Sequence, residues 1–195
     1  IGNLKLSNTA TNKIHQNKKK KFFIMLASTH ETEEENIIKN LKQIIKVNQL
    51  KLCIAPRHLE RIKSISKLMI ENNFSYTLDS DEKKFKEDVI IIDSFGKLDS
   101  YFSNSDIVIL GGSFISKGGH NPIEPAKYGC VIISGNQIYN WQNIYEEMSN
   151  NKACIILDNI DKLGEIIVEF LLNKKILKDN KNKALDFSNK KFFDN

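Results

Sequence analysis

The chain has 195 residues, of which 41% are hydrophobic and 27% charged, and its formal net charge is +5 at pH 7. A chain of this length buries one full core, so we expect one domain. Because no run approaches the ~20 apolar residues that a membrane-spanning helix needs, and basic residues are not interleaved with aromatic ones, the composition excludes a transmembrane segment and argues against nucleic-acid binding.

Short apolar runs rich in β-branched residues alternate with helical patterns, as in repeated βαβ units. The predicted strands are, in chain order, Phe22 to Ala27, Lys51 to Ala55, Ser75 to Leu78, Val89 to Ile92, Ile107 to Leu110, Val131 to Ser134 and Ala153 to Leu157. The predicted helices between and after them are Glu31 to Val47, Arg61 to Asn72, Lys97 to Ser103, Pro122 to Tyr128, Trp141 to Asn150 and Ile160 to Leu172. We therefore predict an α/β fold, a Rossmann-like parallel sheet with helices on both faces.

The two ends of the chain differ in composition from this region. Residues 1 to 21 are polar and without periodicity, which predicts a lead-in segment or interdomain connection, and residues 22 to 173 would form the domain itself. Residues 174 to 195 predict one more basic helix or tail, packing outside this domain. Basic runs at Lys18 to Lys21 and Lys174 to Lys191 would suit an anionic membrane face or nucleic acid, but solvated flanks explain them more simply.

The junction after the first strand reads Ala27-Ser28-Thr29-His30-Glu31. Ser28 and Glu31 fit a capping box, in which each side chain accepts a hydrogen bond from an otherwise free backbone N–H group. The alternative is an anion site at the helix N-terminus, with His30 assisting.

Two further junctions carry residues suited to a nucleotide. Arg57 follows the second strand and can offer a bidentate donor fork to a phosphate or carboxylate, although an exposed arginine without a ligand is as plausible. After the fourth strand, Gly96 in the segment Asp93 to Leu98 would let the backbone approach a flat base or a ribose closely, although a plain helix start capped by Ser94 also fits.

The fourth junction combines glycines with a predicted helix start. Four glycines lie at positions 111, 112, 118 and 119, and because glycine loses the most backbone entropy on folding, their density predicts close contact with a ligand. Asn121 is a good N-cap, Pro122 suits the first helical position, and Glu124 falls at the third. Phosphate would then bind at this helix N-terminus and Glu124 would bind ribose hydroxyls, the alternative being a capped helix after a flexible loop.

Other kinds of site find no support in the sequence. The chain has no Walker lysine, no G-x-G-x-x-G after its first strand and no G-x-S-x-G elbow. Its cysteines, Cys53, Cys130 and Cys154, are widely spaced, so we expect buried thiols and neither a disulfide nor a zinc site.

The order and spacing of these motifs resemble those of the bacterial 3-deoxy-D-manno-octulosonic acid (Kdo) transferases over nearly the whole chain. The matching segments are Gly2-Asn3-Leu4-Lys5, Ala27-Ser28-Thr29-His30-Glu31, Pro56-Arg57-His58 with Glu60-Arg61, Gly111-Gly112-Ser113 and Gly118-Gly119-His120-Asn121-Pro122-Ile123-Glu124-Pro125-Ala126. The last of these is the most specific. The chain departs from the family at Ser94-Phe95-Gly96, where a methionine or similar residue commonly precedes the glycine.

The resemblance implies the C-terminal, donor-binding half of a GT-B glycosyltransferase that transfers Kdo from CMP-Kdo to a lipid A precursor (lipid IVA) in lipopolysaccharide biosynthesis. It implies no metal and no cofactor besides the donor substrate, and no nucleic-acid partner. The acceptor base would be a glutamate in an N-terminal half that this chain lacks, and the complete protein would work on the cytoplasmic face of the bacterial inner membrane. The chain does not begin with Met, so we expect a longer protein.

The resemblance also assigns residues to the donor. The expected donor-binding residues are Ser28, Thr29, His30, Arg57, His58, Phe95, Gly96, Gly118, Gly119, Asn121 and Glu124. Of these, Arg57 and the loop around Gly96 would contact CMP, Asn121 with Glu124 would hold its phosphate and ribose, and residues 28 to 30 would border the donor. Two alternatives stay open, namely another GT-B nucleotide-sugar enzyme such as an epimerase or hexosyltransferase, and a non-catalytic fragment.

Overall fold

Seven parallel strands form a single sheet in the computed structural model, which describes residues 21–81 and 87–193. The strands are Phe23–Thr29 (β1), Lys51–Pro56 (β2), Tyr76–Leu78 (β3), Val89–Ile91 (β4), Ile107–Leu110 (β5), Val131–Gly135 (β6) and Ile155–Leu157 (β7). Their order in the sheet is β3-β4-β2-β1-β5-β6-β7, and every neighbouring pair is parallel. The predicted parallel α/β sheet is confirmed, with each predicted strand found within two residues of its expected bounds.

Seven helices connect and follow these strands in the part of the chain that the structure describes. They are Glu33–Asn48 (α1), Ile62–Glu71 (α2), Leu98–Phe102 (α3), Ile123–Ala126 (α4), Gln142–Asn150 (α5), Leu163–Leu172 (α6) and Lys174–Phe193 (α7). Short 3-10 turns at Leu59–Arg61 and Ile160–Lys162 lead into α2 and α6. The largest deviations from expectation are three residues each: α4 spans four residues where seven were predicted, and α6 begins at Leu163 instead of Ile160.

The sheet is buried on both faces. Alternate residues of each strand point to opposite sides, and helices cover both sides. On one face Ile24 and Leu26 of β1 pack in the same apolar cluster as residues of α1, α2 and α6. On the other face Met25 and Ala27 pack with residues of α3, α4, α5 and α7. Two-sided burial explains why the strands read as continuous apolar runs in the sequence, and it confirms the prediction of helices on both faces. All three cysteines are buried as free thiols.

The last helix packs on the sheet, so the expectation that it packs outside this domain is wrong. Ala184 and Phe187 of α7 are buried in the second apolar cluster, and α7 contacts α4 and β6. Lys181 donates to Asp106 at the start of β5, with 3.0 Å between Nζ and Oδ1. The basic residues of this helix therefore lie on the outward side of an element whose apolar residues belong to the core.

Several expectations lie outside the described residues. These are the lead-in segment 1–20, the first matching motif at residues 2–5, and the final residues 194 and 195. Within the described ranges, no helix combines the length and the apolar character needed to cross a bilayer. The domain boundaries at 21/22 and 173/174 stay predictions.

Candidate functional site

The carboxyl ends of β1, β2, β4 and β5 bring the four predicted junctions to one edge of the sheet. The chain passes from β1 to β2 on one side, whereas β5 lies on the other side of β1. Strand order therefore reverses between β1 and β5, and in open parallel sheets ligands bind in the crevice at such a reversal. The candidate site is the set of loops around this crevice.

The first part of the site is a small pocket of about 80 Å³ beside the ends of β1, β2 and β4. Ser28, Arg57, Phe95 and Gly96 line it, together with Ser94 and the apolar residues Ala55, Pro56, Leu59, Ile92 and Leu98. Four of the predicted donor-binding residues, from three separate junctions, thus come together.

Arg57 and Phe95 are the two exposed side chains of this pocket with evident binding capacity. The backbone N–H of Arg57 donates to the Thr29 carbonyl at 2.9 Å, which fixes the loop, but its guanidinium has no hydrogen-bond or ion-pair partner among the described residues. The Phe95 side chain is 76% exposed. Gly96 adopts φ +76 with no atom within 4 Å of the position that a Cβ would take. A cation without a counter-ion next to an exposed aromatic ring can receive an anion attached to a flat ring.

The second part of the site is a larger polar cavity of about 410 Å³. Its lining includes His30, His58, Lys117, Arg61 and Ser64, with Glu31 and Glu60 as carboxylates and Ile115 as its apolar residue. The rings of His30 and His58 meet edge to face with 5.8 Å between their centroids. Two of the predicted residues, His30 and His58, therefore lie in a different pocket from Arg57.

His30 also stacks on His120, which precedes the predicted N-cap Asn121. The two rings are nearly parallel with centroids 5.4 Å apart, and their Nε2 atoms are 3.1 Å apart. Burial, and then the charges of His58, Lys117, Arg61 and Arg57, lowers the pKa of His30. Burial, and then His30 and Arg57, lowers the pKa of His120 to about 4. Both imidazoles are therefore neutral at pH 7, and the positive charge of Arg57 disfavours protonation of His120.

Thr29 and the start of α1 differ from the prediction. The Thr29 hydroxyl is fully buried and donates to Glu34 at 2.6 Å, so its side chain does not face the crevice. The expected capping box of Ser28 with Glu31 is wrong, because α1 begins at Glu33 and the preceding Thr32 forms no side-chain cap. Ser28 lies in the left-handed region at φ +57, where the register of β1 against β2 shifts.

Two buried carboxylates in the first turn of α1 were missed from the sequence. Glu33 accepts hydrogen bonds from the backbone N–H groups of His30 (2.9 Å), Gly112 (2.7 Å) and Phe114 (3.1 Å). Glu34 accepts two hydrogen bonds from the Arg61 guanidinium, at 2.7 and 2.8 Å, and one from Thr29. The only available signal was a run of three glutamates at a predicted helix start, which also fits an ordinary solvated first turn.

The glycines of the fourth junction have close protein contacts or positive φ, so their density does not by itself require a ligand, and their contact with the donor stays a prediction. A Cβ on Gly111 would lie 2.5 Å from the Ser28 carbonyl oxygen and 2.6 Å from Thr29 Cα. A Cβ on Gly118 would lie 2.3 Å from the Asn140 side chain, and Gly112, Gly118 and Gly119 all have positive φ. The Gly119 N–H donates to the Gly112 carbonyl at 2.8 Å.

The helix start at Asn121 offers few free N–H groups to a phosphate, and phosphate binding there stays a prediction. Pro122, and not Asn121, precedes the first residue of α4, but Asn121 Oδ1 accepts from the Ile123 N–H at 3.0 Å and so occupies the first N–H group of the helix. Pro122 and Pro125 have no N–H group, and α4 spans four residues, so its dipole is weak. Asn121 Nδ2 also lies 3.3 Å from Oε1 of the exposed Glu124. Both side chains lie on the same edge as His120, but neither lines the pocket of Arg57.

The described residues contain no cluster of side chains suited to bind a metal ion. Within residues 21–81 and 87–193, no group of three or more His, Cys, Asp or Glu side chains is arranged to hold a metal ion. The expectation of metal-independent and cofactor-independent chemistry stays a prediction.

Comparison with known proteins identifies relatives by sequence. No protein-family profile matches the chain. A 3-deoxy-D-manno-octulosonic acid transferase from Rickettsia bellii is 34% identical over 202 residues, covering 96% of this chain and 47% of that protein. Those from Haemophilus influenzae and Aquifex aeolicus are each 33% identical and cover 76% and 80% of this chain. The chain spans 36 to 47% of the length of these three relatives.

Comparison with solved structures identifies the fold. The C-terminal CMP-Kdo binding domain of WaaA from Acinetobacter baumannii superposes with a TM-score of 0.81 at 24% identity, covering 87% of this chain and 90% of that one. The C-terminal domain of the group 1 glycosyl transferase LpcC from Francisella tularensis gives a TM-score of 0.62 at 12% identity. The chain is therefore a homologue of the 3-deoxy-D-manno-octulosonic acid transferases, with the fold of the C-terminal domain of a GT-B glycosyltransferase.

Proposed function

We propose that this chain is the donor-binding half of a Kdo transferase, which transfers Kdo from CMP-Kdo to a lipid A precursor in lipopolysaccharide biosynthesis. The observation that carries the proposal is the Arg57 guanidinium, which has no partner among the described residues and lines a pocket with Ser28, Phe95 and Gly96 at the strand-order reversal. The three relatives described above are named as Kdo transferases, and they supply the substrate.

The pocket suits the CMP part of the donor. Arg57 can bind the phosphate through two parallel hydrogen bonds while its charge stays constant. The exposed Phe95 ring offers a face for the cytosine, and the backbone at Gly96 leaves room beside it. This arrangement replaces the short helix at Asn121 as the main anion-binding element, because that helix has few free N–H groups.

Transfer requires that the negative charge developing on the departing CMP be stabilised. A fixed guanidinium stabilises that charge without reorganisation, so Arg57 would act more strongly in the transition state than in the ground state. An acceptor hydroxyl on the lipid A precursor would attack the anomeric carbon of Kdo. We place the base and the acceptor surface in a partner half outside this chain, at the cytoplasmic face of the inner membrane, with no metal or cofactor.

Calorimetric titration of the chain with CMP, UDP and ADP tests the proposal. CMP should give saturable binding and the other two nucleotides much weaker binding. Arg57→Gln removes a charge-assisted contact worth about 1.5–3 kcal/mol, so CMP affinity should fall roughly 10- to 150-fold. The exposed Lys63→Gln on α2 is the control for lost positive charge and should leave affinity unchanged.

Other results would favour the open alternatives. Preference for UDP or ADP would indicate a different nucleotide-sugar enzyme, and no binding of any nucleotide would indicate a non-catalytic fragment. Because the proposed base and acceptor surface lie outside the chain, the isolated 195 residues should transfer no Kdo, and detectable transfer by them would contradict this division of roles.

A further inference from the structure

We infer that Glu33 is a positioning residue, whose carboxylate holds the two loops of the proposed donor site against each other. The inference rests on the proposed function for its ligand, but its geometry stands independently of it. The two loops are residues 28–32, which form the end of β1 and the turn that follows it, and residues 111–120, after β5.

The contacts of Glu33 reach both loops. Its Oε2 accepts from the N–H groups of His30 and Gly112, and its Oε1 accepts from the N–H of Phe114. Gly112 and Phe114 are 79 and 81 residues away along the chain, so these bonds are tertiary contacts. The bond to His30 is local, whereas the other two bonds join the start of α1 to the loop after β5.

The buried carboxylate of Glu33 loses its hydration and needs hydrogen bonds from the protein in exchange. Glu33 is fully buried, and burial raises its pKa, while the three backbone N–H groups act in the opposite direction. Burying a carboxylate is costly unless it is hydrogen-bonded. Three donors from two loops supply that bonding only while the loops keep this arrangement, so the carboxylate and the loop geometry stabilise each other.

The segments that Glu33 holds also carry the imidazole pair of the site. His30 is bound through its own backbone N–H. Gly112 lies against the pair, since a Cβ there would be 3.2 Å from His120 Nε2 and 3.5 Å from His30 Cδ2. The stacking of His30 on His120 therefore depends on the distance between the two backbones that Glu33 joins. Neighbouring Glu34 instead contacts Thr29 and, 27 residues along the chain, Arg61, so it does not reach the loop after β5.

Glu33→Gln in the full chain tests the inference, with Glu35→Gln as the matched control. Both changes remove one charge from the first turn of α1, but Glu35 is exposed. In glutamine an NH2 group replaces one of the two carboxylate oxygens. This NH2 group donates and cannot accept, so it would face a backbone N–H donor without forming a hydrogen bond. We expect CMP affinity to fall about tenfold or more in Glu33→Gln, measured well below its melting temperature, and less than twofold in Glu35→Gln. We also expect the ring ¹⁵N shifts of His30 and His120 to change only in Glu33→Gln.

The outcomes separate positioning from capping and from failure of the proposed function. Unchanged CMP affinity with a lowered melting temperature would overturn the inference, because a cap alone has that effect. If the wild-type chain binds no CMP, the proposed function fails, and unchanged histidine ring shifts in Glu33→Gln would then overturn the positioning role as well.

If Glu33→Gln does not fold, Glu33→Asp replaces it, because the shorter carboxylate keeps its charge near His30. The amides of Gly112 and Phe114 should then exchange faster than in wild type, and unchanged exchange would contradict the inference.

Discussion

At the scale of single residues, the site combines cations that keep their charge with imidazoles that have lost theirs. Arg57 and Lys117 lie at the crevice, while burial and neighbouring positive charge lower the pKa of His30 and His120. Protonation of a neutral imidazole in such surroundings is less favourable in the folded protein than in the unfolded chain. Acid should therefore lower the free energy of unfolding through this pair.

The pH dependence of stability tests this statement about His120. Its pKa is about 4 in the folded protein, against an ordinary value of 6.5. Between these two values the unfolded chain binds more protons at this residue, so its contribution lowers the free energy of unfolding as pH falls from about 6.5 to about 4. Urea unfolding at several pH values should show a shallower loss in His120→Gln than in wild type. The comparison between the two proteins cancels Glu33, whose raised pKa acts in the opposite direction. Parallel pH curves would contradict the assignment.

At the scale of elements, the glycine loop after β5 is fitted to the end of β1. Gly111 donates its N–H to the Ala27 carbonyl at 2.9 Å, and its Cα faces the backbone of Ser28 and Thr29. Any side chain would therefore separate two strands at the crevice. The packing of β5 against β1 therefore requires glycine at position 111.

Alanine substitution at two glycines distinguishes two reasons for having glycine, namely lack of space for a side chain at Gly111 and a left-handed backbone conformation at Gly96. Gly111→Ala places a Cβ against backbone atoms that cannot move separately, so it should cost about 3 kcal/mol or more in the free energy of unfolding. Gly96→Ala meets no neighbour but keeps φ +76, so it should cost only about 1–2 kcal/mol. Denaturant unfolding of both variants measures the difference. Equal losses would mean that the approach of Gly111 to β1 is wrong.

At the scale of the whole molecule, one sheet presents every candidate residue at its carboxyl edge. The core on both faces holds that edge rigid, and α7 completes one of the faces instead of leaving the domain. The chain spans less than half the length of three Kdo transferases related to it. Arg57, whose guanidinium has no partner among the described residues, lies at this crevice, and under the proposed function the donor bound there would also contact a second half.

The sheet could be predicted because a strand buried on both faces has apolar residues at successive positions, as Ile107–Leu110 does. The residues of the Arg57 pocket could be named because each follows such a run. Glu33 could not be identified, since two of its three partners lie 79 and 81 residues away and the two residues that follow it are also glutamates. The glycines misled for a related reason, because a sequence does not say whether glycine makes room for a ligand or, as at Gly111, for another strand.

Backbone amide shifts during a CMP titration of the ¹⁵N-labelled chain test the central claim most directly. The account predicts saturable shifts concentrated at Ser28, Arg57, Phe95 and Gly96, around the end of β2. Shifts concentrated instead at the amino edge of the sheet, near Phe23 and Asp106, or no saturable shifts at all, would contradict it.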